Sequence, residues 1–525
     1  MESTCVRQSD LPHTSRLFTD FVYHFDRLNG FYGGHHADPQ AWTLAASQVR
    51  YPDERRAALV KLLREQNGSS AGLDTLARPG AVAVVTGQQV GLFSGPCYTI
   101  YKALTASRLA RRLTAEGIPA VPVFWLATED HDFAEVNHCS VFGADHQPRL
   151  LEVESTGHDH APVGGIAPER YPLEALRAAL ETLPHGGEVC ALVEECYTPG
   201  ETLGAAFASL LKRLLAPYGV LFLDPMRPGV RSLAAPLIRQ AVEAAPALTA
   251  GLLERNRELE AAGYHAQVHV EPQTSLFFLL EGGHRITLRR EGQHYVSADR
   301  RLEAAELAAR AGEISPNALL RPVVQDYLLP TVCYVGGPAE LAYLAQSEVL
   351  YRSLLGRMPL AAPRSGFTLL DEPSARLLKR YHLSPLSLFQ PPEILREEIS
   401  RTLVPAEVGE SLRETTAAAG ELLESLHRRL DGFDVTLAAA LGKSREKILH
   451  QFAKIERKVA LESLRRDRRA ASDAASLSGL IYPDRHLQER RYTILPFLAR
   501  HGLDLVERLH AGVRLDCPEH IFLTL

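Results

Sequence analysis

The sequence predicts an α/β fold built on a parallel sheet, followed by a separate α-helical domain. Short apolar runs alternate with an amphipathic helix between residues 81 and 127. After about residue 390, apolar residues recur at intervals of three and four. The length of 525 residues is a third observation, because single cores stop growing at about 250–300 residues and longer chains divide into domains.

The first element is a strand, helix and strand in direct succession. Residues 81–85, AVAVV, form a buried strand that runs into a tight loop. Residues 99–116 have helical spacing, and Gly117 ends this helix. Residues 120–127, AVPVFWLA, form the next buried strand. Such a βαβ unit predicts a parallel sheet with the ligand site at the carboxyl ends of its strands.

Further strands follow along the chain. The pattern predicts strands at 219–224 and 331–335, and a hairpin formed by 275–280 and 285–289. We expect residues 1–385 to form one α/β region that carries a large insertion at about 150–310.

The helical region shows heptad-like spacing. Its apolar positions are Leu423, Leu426, Leu430, Phe433 and Leu437, and then Ile448, Phe452, Ile455 and Val459. The pattern predicts two or more long helices over 386–475, interrupted at Gly432 and Gly442, that form either an antiparallel coiled coil or part of a bundle. We expect the C-terminal segment, 476–525, to pack back on the core. Two interpretations remain equal here: a helical face packed on its own domain, or a protruding arm that pairs two subunits.

Charge and cysteine usage limit the function classes. The net charge of −6 argues against a general binder of nucleic acid or anionic membranes. We expect no secretory signal and no membrane span, because the first residues lack a basic start with an apolar run and no stretch reaches 18 apolar residues. The seven cysteines are scattered and lack a CxxC pair, which indicates a cytoplasmic protein without a disulfide framework or zinc ribbon.

The first polar segment follows the strand at 81–85 and precedes the helix at 99–116. Its glycines let backbone approach a ligand, and the start of the helix offers N–H groups to a phosphate or carboxylate. A glycine-rich turn without a ligand is the alternative. The candidate binding residues are Thr86, Gly87, Gln88, Gln89, Gly91, Ser94, Gly95 and Tyr98.

The second polar segment, 129–138, follows the strand at 120–127. Its acids should raise the pKa of His131, which suits a general acid/base or a cation that clamps a phosphate. A metal site at Asp130, His131, Asp132 and His138 is an alternative, although the spacing matches no standard zinc pattern. A solvated acidic turn is another. The candidate catalytic residues are His131, Asp130 and Asp132, and the candidate binding residues are Glu129, Asn137 and His138.

The third polar segment lies between residues 315 and 343. An arginine there could hold a carboxylate or phosphate with two hydrogen bonds, and a Gly-Gly pair closes a strand before a predicted helix. Gln325 and Asp326 could instead cap a turn. The candidate binding residues are Asn317, Arg321, Gln325, Gly336, Gly337, Glu340 and Tyr343. A P-loop, a dinucleotide-binding GxGxxG motif, a GxSxG elbow and the protein-kinase motifs are missing from the sequence.

Four runs of sequence resemble a known family. They are TGQQVGLFSGPCYTIYKA (86–103), PVFWLATEDHDFAEVNH (122–138), RPVVQDYLLPTVCYVGGPAELAY (321–343) and IYPDRHLQERRY (481–492). They are similar to the bacillithiol biosynthesis family BshC, over nearly the whole chain. The resemblance implies a Rossmann-like core of the nucleotidyltransferase type with connecting insertions, and a helical coiled-coil arm that forms a homodimer. It also implies that cysteine is joined through its carboxyl group to the amine of glucosaminyl-malate. Tyr101 stands where family members often carry histidine, so no histidine role is expected there.

Amide formation from a free carboxylate requires activation, so we expect ATP with Mg²⁺ and an acyl-adenylate or acyl-phosphate. His131 would stabilise phosphate charge or move the amine proton, and Asp130 or Asp132 would orient His131 or bind Mg²⁺. Lys102 and Arg321 are candidates to hold the malyl carboxylates or a phosphate. A nucleotide-binding scaffold and another ATP-dependent acyl or nucleotidyl transferase are the alternative functions.

Overall fold

A computed structural model describes residues 3–154 and 160–525. Its strands are β1 (Ser3–Val6), β2 (Val82–Gln89), β3 (Ala120–Ala127), β4 (His138–Val141), β5 (Arg149–Glu152), β6 (Leu221–Leu223), β7 (Thr274–Glu281), β8 (His284–Glu291), β9 (His294–Val296), β10 (Arg301–Glu303), β11 (Ile314–Pro316), β12 (Thr331–Gly336), β13 (Leu360–Pro363), β14 (Gly366–Leu370) and β15 (His520–Thr524). Its α-helices are α1 (Arg16–Tyr23), α2 (Pro39–Gln48), α3 (Asp53–Asn67), α4 (Ala71–Leu76), α5 (Tyr98–Ala115), α6 (Phe133–Val136), α7 (Leu173–Leu180), α8 (Gly186–Cys196), α9 (Leu203–Leu215), α10 (Pro228–Ala261), α11 (Ala304–Ala309), α12 (Arg321–Leu328), α13 (Pro338–Leu355), α14 (Glu372–Arg380), α15 (Pro392–Thr402), α16 (Ala406–Asp431), α17 (Val435–Arg466), α18 (Arg468–Ile481), α19 (Gln488–Arg491), α20 (Leu495–His501) and α21 (Leu505–Gly512).

The central sheet has five parallel strands in the order β13-β12-β2-β3-β6. The predicted βαβ unit is confirmed: it consists of β2, α5 and β3, and Gly117 follows the helix with a left-handed φ of 90°. From β2 the chain adds β3 and β6 on one side, and later β12 and β13 on the other. The strand order therefore reverses between β2 and β12, the position at which doubly wound α/β folds bind ligands.

Both faces of the central sheet are buried. Val82 and Val84 contact one apolar cluster, while Ala83 and Val85 contact another on the opposite face. Helices cover each face, as parallel sheets require, which explains why the strands read as continuous apolar runs rather than alternating ones.

The predicted hairpin is confirmed as β7 and β8, joined at Gly282 and Gly283, which have φ values of 60° and 82°. It belongs to an antiparallel sheet with the order β10-β9-β8-β7-β11. This sheet and helices α7 to α10 lie mostly within the expected insertion at 150–310. The range is not one continuous insertion, however, because β6 within it pairs with β3 in the central sheet.

A third sheet joins distant parts of the chain. β15 lies between β1, which is antiparallel to it, and β14, which is parallel. Ser3 pairs with Leu523, and the side chain of Gln8 donates a hydrogen bond to the Pro518 carbonyl at 2.7 Å. The C-terminal segment therefore packs against the start of the chain.

The helical arm consists of α16 and α17, which pack on each other. Gly432 separates them as expected, and Asp434 caps α17 by accepting hydrogen bonds from the backbone of Thr436 (2.7 Å) and Leu437 (3.0 Å). The predicted interruption at Gly442 is wrong, because this residue lies inside α17. One glycine costs a helix only about 1 kcal/mol relative to alanine, which a helix of this length tolerates.

The arm has almost no core of its own. Every residue of α16 is at least partly exposed, and α17 buries only Ala438, Ala460 and Leu464. The large apolar side chains exposed on or between these helices are Val408, Leu422, Leu426, Phe433, Val435, Leu437, Ile448, Ile455 and Leu461.

Candidate active site

A cavity of about 590 Å³ opens at the carboxyl edge of the central sheet, where the strand order reverses. Its wall combines the end of β2, the starts of α5 and α13, the loop after β3 and the β7–β8 hairpin. The predicted site residues in this wall are Gly87, Gln88, Gln89, Tyr98, Lys102, Glu129, Asp130, Asn317, Arg321, Gly337, Glu340 and Tyr343. The cavity thus brings together parts of all three polar segments.

Lys102 is the centre of one hydrogen-bond network. Its ammonium group donates to the Gly87 carbonyl at 3.0 Å and to Gln88 Oε1 at 2.8 Å, and it lies 2.5 Å from Glu340 Oε2. Burial lowers the pKa of Lys102, and the charge of Glu340 opposes this shift. Three acceptors occupy the three ammonium hydrogens. Lys102 therefore holds β2 to α13 and has no donor left for a substrate carboxylate, contrary to the expectation from sequence.

Glu340 is held from three sides. Burial alone would raise its pKa, but the charge of Lys102 and the hydrogen bonds that the carboxylate accepts together lower the pKa of Glu340. Besides Lys102, it accepts hydrogen bonds from the Gly337 backbone at 2.8 Å and from the Tyr334 hydroxyl at 2.6 Å. The Gly-Gly turn thus receives a carboxylate of its own helix α13, in the position where the sequence suggested a bound anion. Gly336 lies beside this contact, outside the wall of the main cavity.

Arg321 faces the cavity and is supported from behind. It donates to Gln325 Oε1 and to the Tyr343 hydroxyl, each at 3.0 Å. Gln325 is fully buried and donates to Asp326 Oδ1 at 3.0 Å, and Asp326 in turn accepts a hydrogen bond from Tyr351. Gln325 and Asp326 lie within α12 and cap no turn. The network fixes the direction of the Arg321 guanidinium without consuming all five of its donors.

The acidic segment after β3 divides into buried and exposed parts. Glu129 is buried and accepts a hydrogen bond from the Ser315 hydroxyl at 2.9 Å. Burial raises its pKa, against the opposing charge of Arg285. Asp130 accepts hydrogen bonds from Gln89 Nε2 at 2.6 Å and from the backbone of His131 at 2.7 Å. These two acids are tied to the sheet and belong to the site.

His131 lies beside the cavity wall rather than in it, and its side chain is 27% exposed. Its Nδ1 is 3.0 Å from Nη1 of Arg285, and its ring packs near Phe278 with centroids 5.4 Å apart. Burial and the charge of Arg285 lower the pKa of His131, and these effects outweigh Asp130. The expectation that neighbouring acids raise this pKa is therefore wrong. Because Arg285 donates to Nδ1, the neutral imidazole carries its proton on Nε2.

The remaining candidate residues of this segment lie outside the main cavity. Asp132 is exposed and caps α6 by accepting a hydrogen bond from the Glu135 backbone at 3.1 Å. Asn137 donates to Glu152 at 3.0 Å and contacts Nδ1 of His138, also at 3.0 Å. Within the described ranges, no three His, Cys, Asp or Glu side chains converge on a possible metal position, so the metal alternative finds no support there.

The glycine-rich turn owes its composition to packing. A Cβ at Gly87 would lie 2.8 Å from the Trp125 carbonyl oxygen on β3, and a Cβ at Gly91 would lie 2.9 Å from the Cα of Gly95. Thr86 and Ser94 are buried behind the cavity, with Thr86 donating to the Val335 carbonyl at 2.8 Å. The tight approach of backbone to backbone thus explains these glycines, and only part of the turn faces a cavity.

Sequence reasoning missed three arginines in the cavity wall. Arg285 lies on the hairpin and donates to the Ser315 hydroxyl at 3.1 Å and the Pro316 carbonyl at 2.8 Å. Arg364 is buried and donates two hydrogen bonds to the Glu489 carboxylate, from Nη1 at 2.9 Å and from Nη2 at 2.5 Å. Arg490, the residue after Glu489, also lines the cavity. The position of Arg364 directly after β13 could have indicated it. No periodicity in the sequence distinguishes Arg285 from its exposed neighbours.

The fold and the cavity define a doubly wound α/β protein with a cavity at the switch point of the sheet and a helical arm attached. A family model described as "Bacillithiol biosynthesis BshC, N-terminal Rossmann-like domain" matches residues 1–365. A second, "Bacillithiol biosynthesis BshC, C-terminal coiled-coil domain", matches residues 367–523. The chain therefore belongs to the BshC family of bacillithiol biosynthesis.

Full-length relatives agree with this assignment. A protein of Solibacter usitatus is 57% identical over 520 residues, covering 99% of both chains. Proteins of Koribacter versatilis and Salinibacter ruber are 37% and 31% identical, covering 98% and 96% of this chain and 98% and 95% of their own lengths. Each of the three is named "Putative cysteine ligase BshC". Among the described residues, no helix is long and apolar enough to cross a membrane.

Proposed function

We propose that the protein is a cysteine ligase that joins the carboxyl group of cysteine to the amine of glucosaminyl-malate, with ATP as the activating co-substrate. The observation that carries this proposal is the match to the Solibacter usitatus protein, which covers 99% of both chains. That relative is named a cysteine ligase. The cavity supplies independent support, because it offers fixed cationic groups for anionic substrates and buried carboxyl groups for proton transfer.

The substrates in this proposal are anionic, and the cavity matches that charge. Glucosaminyl-malate carries two carboxylates and ATP carries phosphates. Arg321 and Arg490 both face the cavity, and Arg321 is directed by Gln325 and Tyr343. A guanidinium held in this way binds planar oxyanions with two hydrogen bonds. A volume of about 590 Å³ lies within the range of about 300–1,000 Å³ that is typical of small-molecule sites.

We expect Mg²⁺ to bind in the cavity together with the substrate phosphates rather than at a site formed by protein ligands alone. In residues 3–154 and 160–525 no cluster of three ligating side chains exists. Mg²⁺ is often bound by one or two carboxylates together with substrate phosphates and water, and Asp130 in the cavity wall is the nearest such carboxylate to His131. The ion would offset phosphate charge there.

The reaction in this proposal has two steps, and each step forms one bond and breaks another. In the first, a carboxylate oxygen of cysteine bonds to a phosphorus of ATP while the bond from that phosphorus to its leaving group breaks, which releases pyrophosphate if an adenylate forms and ADP if an acyl-phosphate forms. In the second, the amine nitrogen bonds to the carboxyl carbon while the bond from that carbon to the phosphorylated oxygen breaks. The oxygen departs with the phosphoryl group, and the nitrogen loses one proton. Glu129 is a candidate acceptor for that proton, because its burial favours the protonated carboxyl.

His131 acts in this proposal as a neutral hydrogen-bond donor. Its Nδ1 accepts from Arg285, so Nε2 carries the proton and can donate to oxygen on which negative charge develops. A lowered pKa serves that role, since a neutral imidazole neither repels Arg285 nor requires a counter-charge.

The arm would complete a homodimer in the cytosol. Leu422, Phe433 and Val435 expose 73%, 80% and 70% of their surface, and a second copy of the arm would cover them. All seven cysteines are free, which suits a reducing compartment.

The test is a mass-spectrometric assay of purified protein with cysteine, glucosaminyl-malate, ATP and Mg²⁺. We expect bacillithiol to accumulate, with AMP if the carboxyl group is activated as an adenylate and with ADP if it is activated as a phosphate. Absence of product from folded protein would contradict the proposal.

His131→Ala tests the donor role. Losing one such donor costs about 100-fold to 1,000-fold in kcat, while folding, followed by circular dichroism, should be retained. His24→Ala is the control, because His24 is exposed and remote in sequence from the three polar segments. Full activity of His131→Ala would remove this histidine from the mechanism.

A further inference from the structure

A second, smaller cavity of about 200 Å³ adjoins the main one. The two cavities share Gln88, Gln89, Tyr98, Glu135 and Arg490 in their walls. The small cavity is bounded by the glycine-rich turn, the start of β4 and the segment after α19. It lies below the range of about 300–1,000 Å³ typical of drug-sized ligands, so it suits a smaller molecule than the main cavity.

Opposite charges meet in the shared wall. Arg490 is exposed, and within residues 3–154 and 160–525 its guanidinium has no hydrogen-bond or ion-pair partner. Its closest aromatic contact is the Tyr98 ring, 5.7 Å away. The Glu135 carboxylate accepts a hydrogen bond from Gln89 at 3.0 Å and is otherwise open to the cavities. One available cation and one available anion match the two charges of a free α-amino acid.

The interior of the small cavity is lined differently. Ser140 lies in its wall and is 1% exposed, yet its hydroxyl has no hydrogen-bond partner among the described residues. Such a buried hydroxyl is costly unless a ligand or water completes it. Around it lie Pro96, Cys139 and the closely packed Gly91 and Gly95. The interior therefore accepts a short side chain that carries one weakly polar group.

We propose that the small cavity is the subsite for the amino-acid substrate, cysteine. The inference rests on the proposed function and specifies where that substrate binds. Arg490 binds the carboxylate, Glu135 binds the ammonium group, and the thiol lies beside the Ser140 hydroxyl. In this orientation the carboxyl carbon faces the main cavity, where the amine of the second substrate enters. The subsite thus separates the two substrates and presents only their reacting groups to each other.

Calorimetric titration of L-cysteine into the full-length protein under reducing conditions tests the subsite without requiring turnover. Ser140→Leu would fill the cavity and Arg490→Leu would remove the cation. Each should weaken cysteine binding by about tenfold or more, as expected for loss of a charged hydrogen bond or of the space itself. Ser69→Leu, in an exposed turn, is the matched control and should bind cysteine normally.

A ligand series covers the case in which the buried variant does not fold. With unaltered protein, cysteine methyl ester lacks the carboxylate charge, 3-mercaptopropionate lacks the ammonium group and phenylalanine has a larger side chain. Each should bind about tenfold or more weakly than cysteine. Equal affinities across this series, or cysteine binding unchanged in both cavity variants, would overturn the subsite while leaving the ligase proposal standing. No cysteine binding to unaltered protein, with or without ATP, would overturn both.

Discussion

The cavity and the arm differ in residue type and in whether their side chains find partners within one chain. In the cavity, Lys102 is buried, Glu340 is partly buried, and both charges are satisfied by neighbours on three different elements. On the arm, Leu422 and Val435 are apolar and exposed on two helices that pack mainly on each other. The cavity is therefore complete within one chain, whereas the arm leaves apolar surface that only another molecule can cover. Removing a charge from the cavity should therefore lower the stability of the chain, whereas adding a charge to the arm should weaken its self-association.

The largest effect is expected from Lys102→Met. This change leaves the Glu340 carboxylate buried without its counter-charge, and breaking a buried ion pair from one side costs about 3–5 kcal/mol. The free energy of unfolding, measured by denaturant titration, should fall by that amount, and ligase activity should be lost. Lys443→Met, on the exposed surface of α17, is the control and should change stability by less than about 0.5 kcal/mol. If both changes lowered the free energy of unfolding equally, the ion pair in the cavity would contribute no more to stability than an exposed lysine does.

The second effect concerns assembly. Leu422→Glu and Val435→Glu place charges in the exposed apolar surface, and each should weaken self-association by about 2 kcal/mol, or about 30-fold. Multi-angle light scattering over a range of protein concentrations measures the shift from dimer to monomer. The unfolding free energy of the core should stay nearly constant.

Ser411→Glu is the matched control on α16, because Ser411 is already exposed and polar. A chain that is monomeric at every concentration, or charged variants that remain dimeric, would contradict the interpretation of the arm.

These contrasts also show what the sequence could predict. The bounds of β3, the position of α5 and the β7–β8 hairpin follow from apolar periodicity and turn glycines, which are local signals. Gly442 was mistaken for an interruption because one glycine is a weak signal inside a long helix.

The site was predicted less completely than the fold, because it depends on contacts between distant segments. Asp130 and Arg321 were identified from their positions at strand ends and helix starts. Arg285 lies 154 residues from His131 in the chain and reaches it only through the fold. The pKa of His131 could not be judged from its acidic neighbours in sequence, since burial and Arg285 decide it.

The smallest predicted effect is a change in pH dependence. The native pKa of His131 lies below 6.5, so the unfolded chain takes up the proton first as pH falls. The stability that depends on the neutral imidazole is therefore lost as pH drops from 6.5 towards the native pKa. Arg285→Met removes one cause of the depression. It should raise the pKa of His131 and move the acid limb of kcat/KM to higher pH.

Histidine-selective NMR titration measures this pKa directly, whether or not the variant is active. Arg289→Met, an exposed change on the same hairpin, should leave the pKa unchanged. An unshifted His131 pKa in Arg285→Met would mean that burial alone lowers it.

In the sheet formed by β1, β15 and β14, the first strand is synthesised long before the strand with which it pairs. β1 pairs only with β15, and the paired residues Ser3 and Leu523 are separated by nearly the whole chain. At about 5–20 residues per second, the ribosome leaves β1 without its partner while the residues between β1 and β15 are synthesised. An unpaired strand edge invites contact with other nascent chains. β1 has only four residues, so it offers little template for such contacts until β15 emerges.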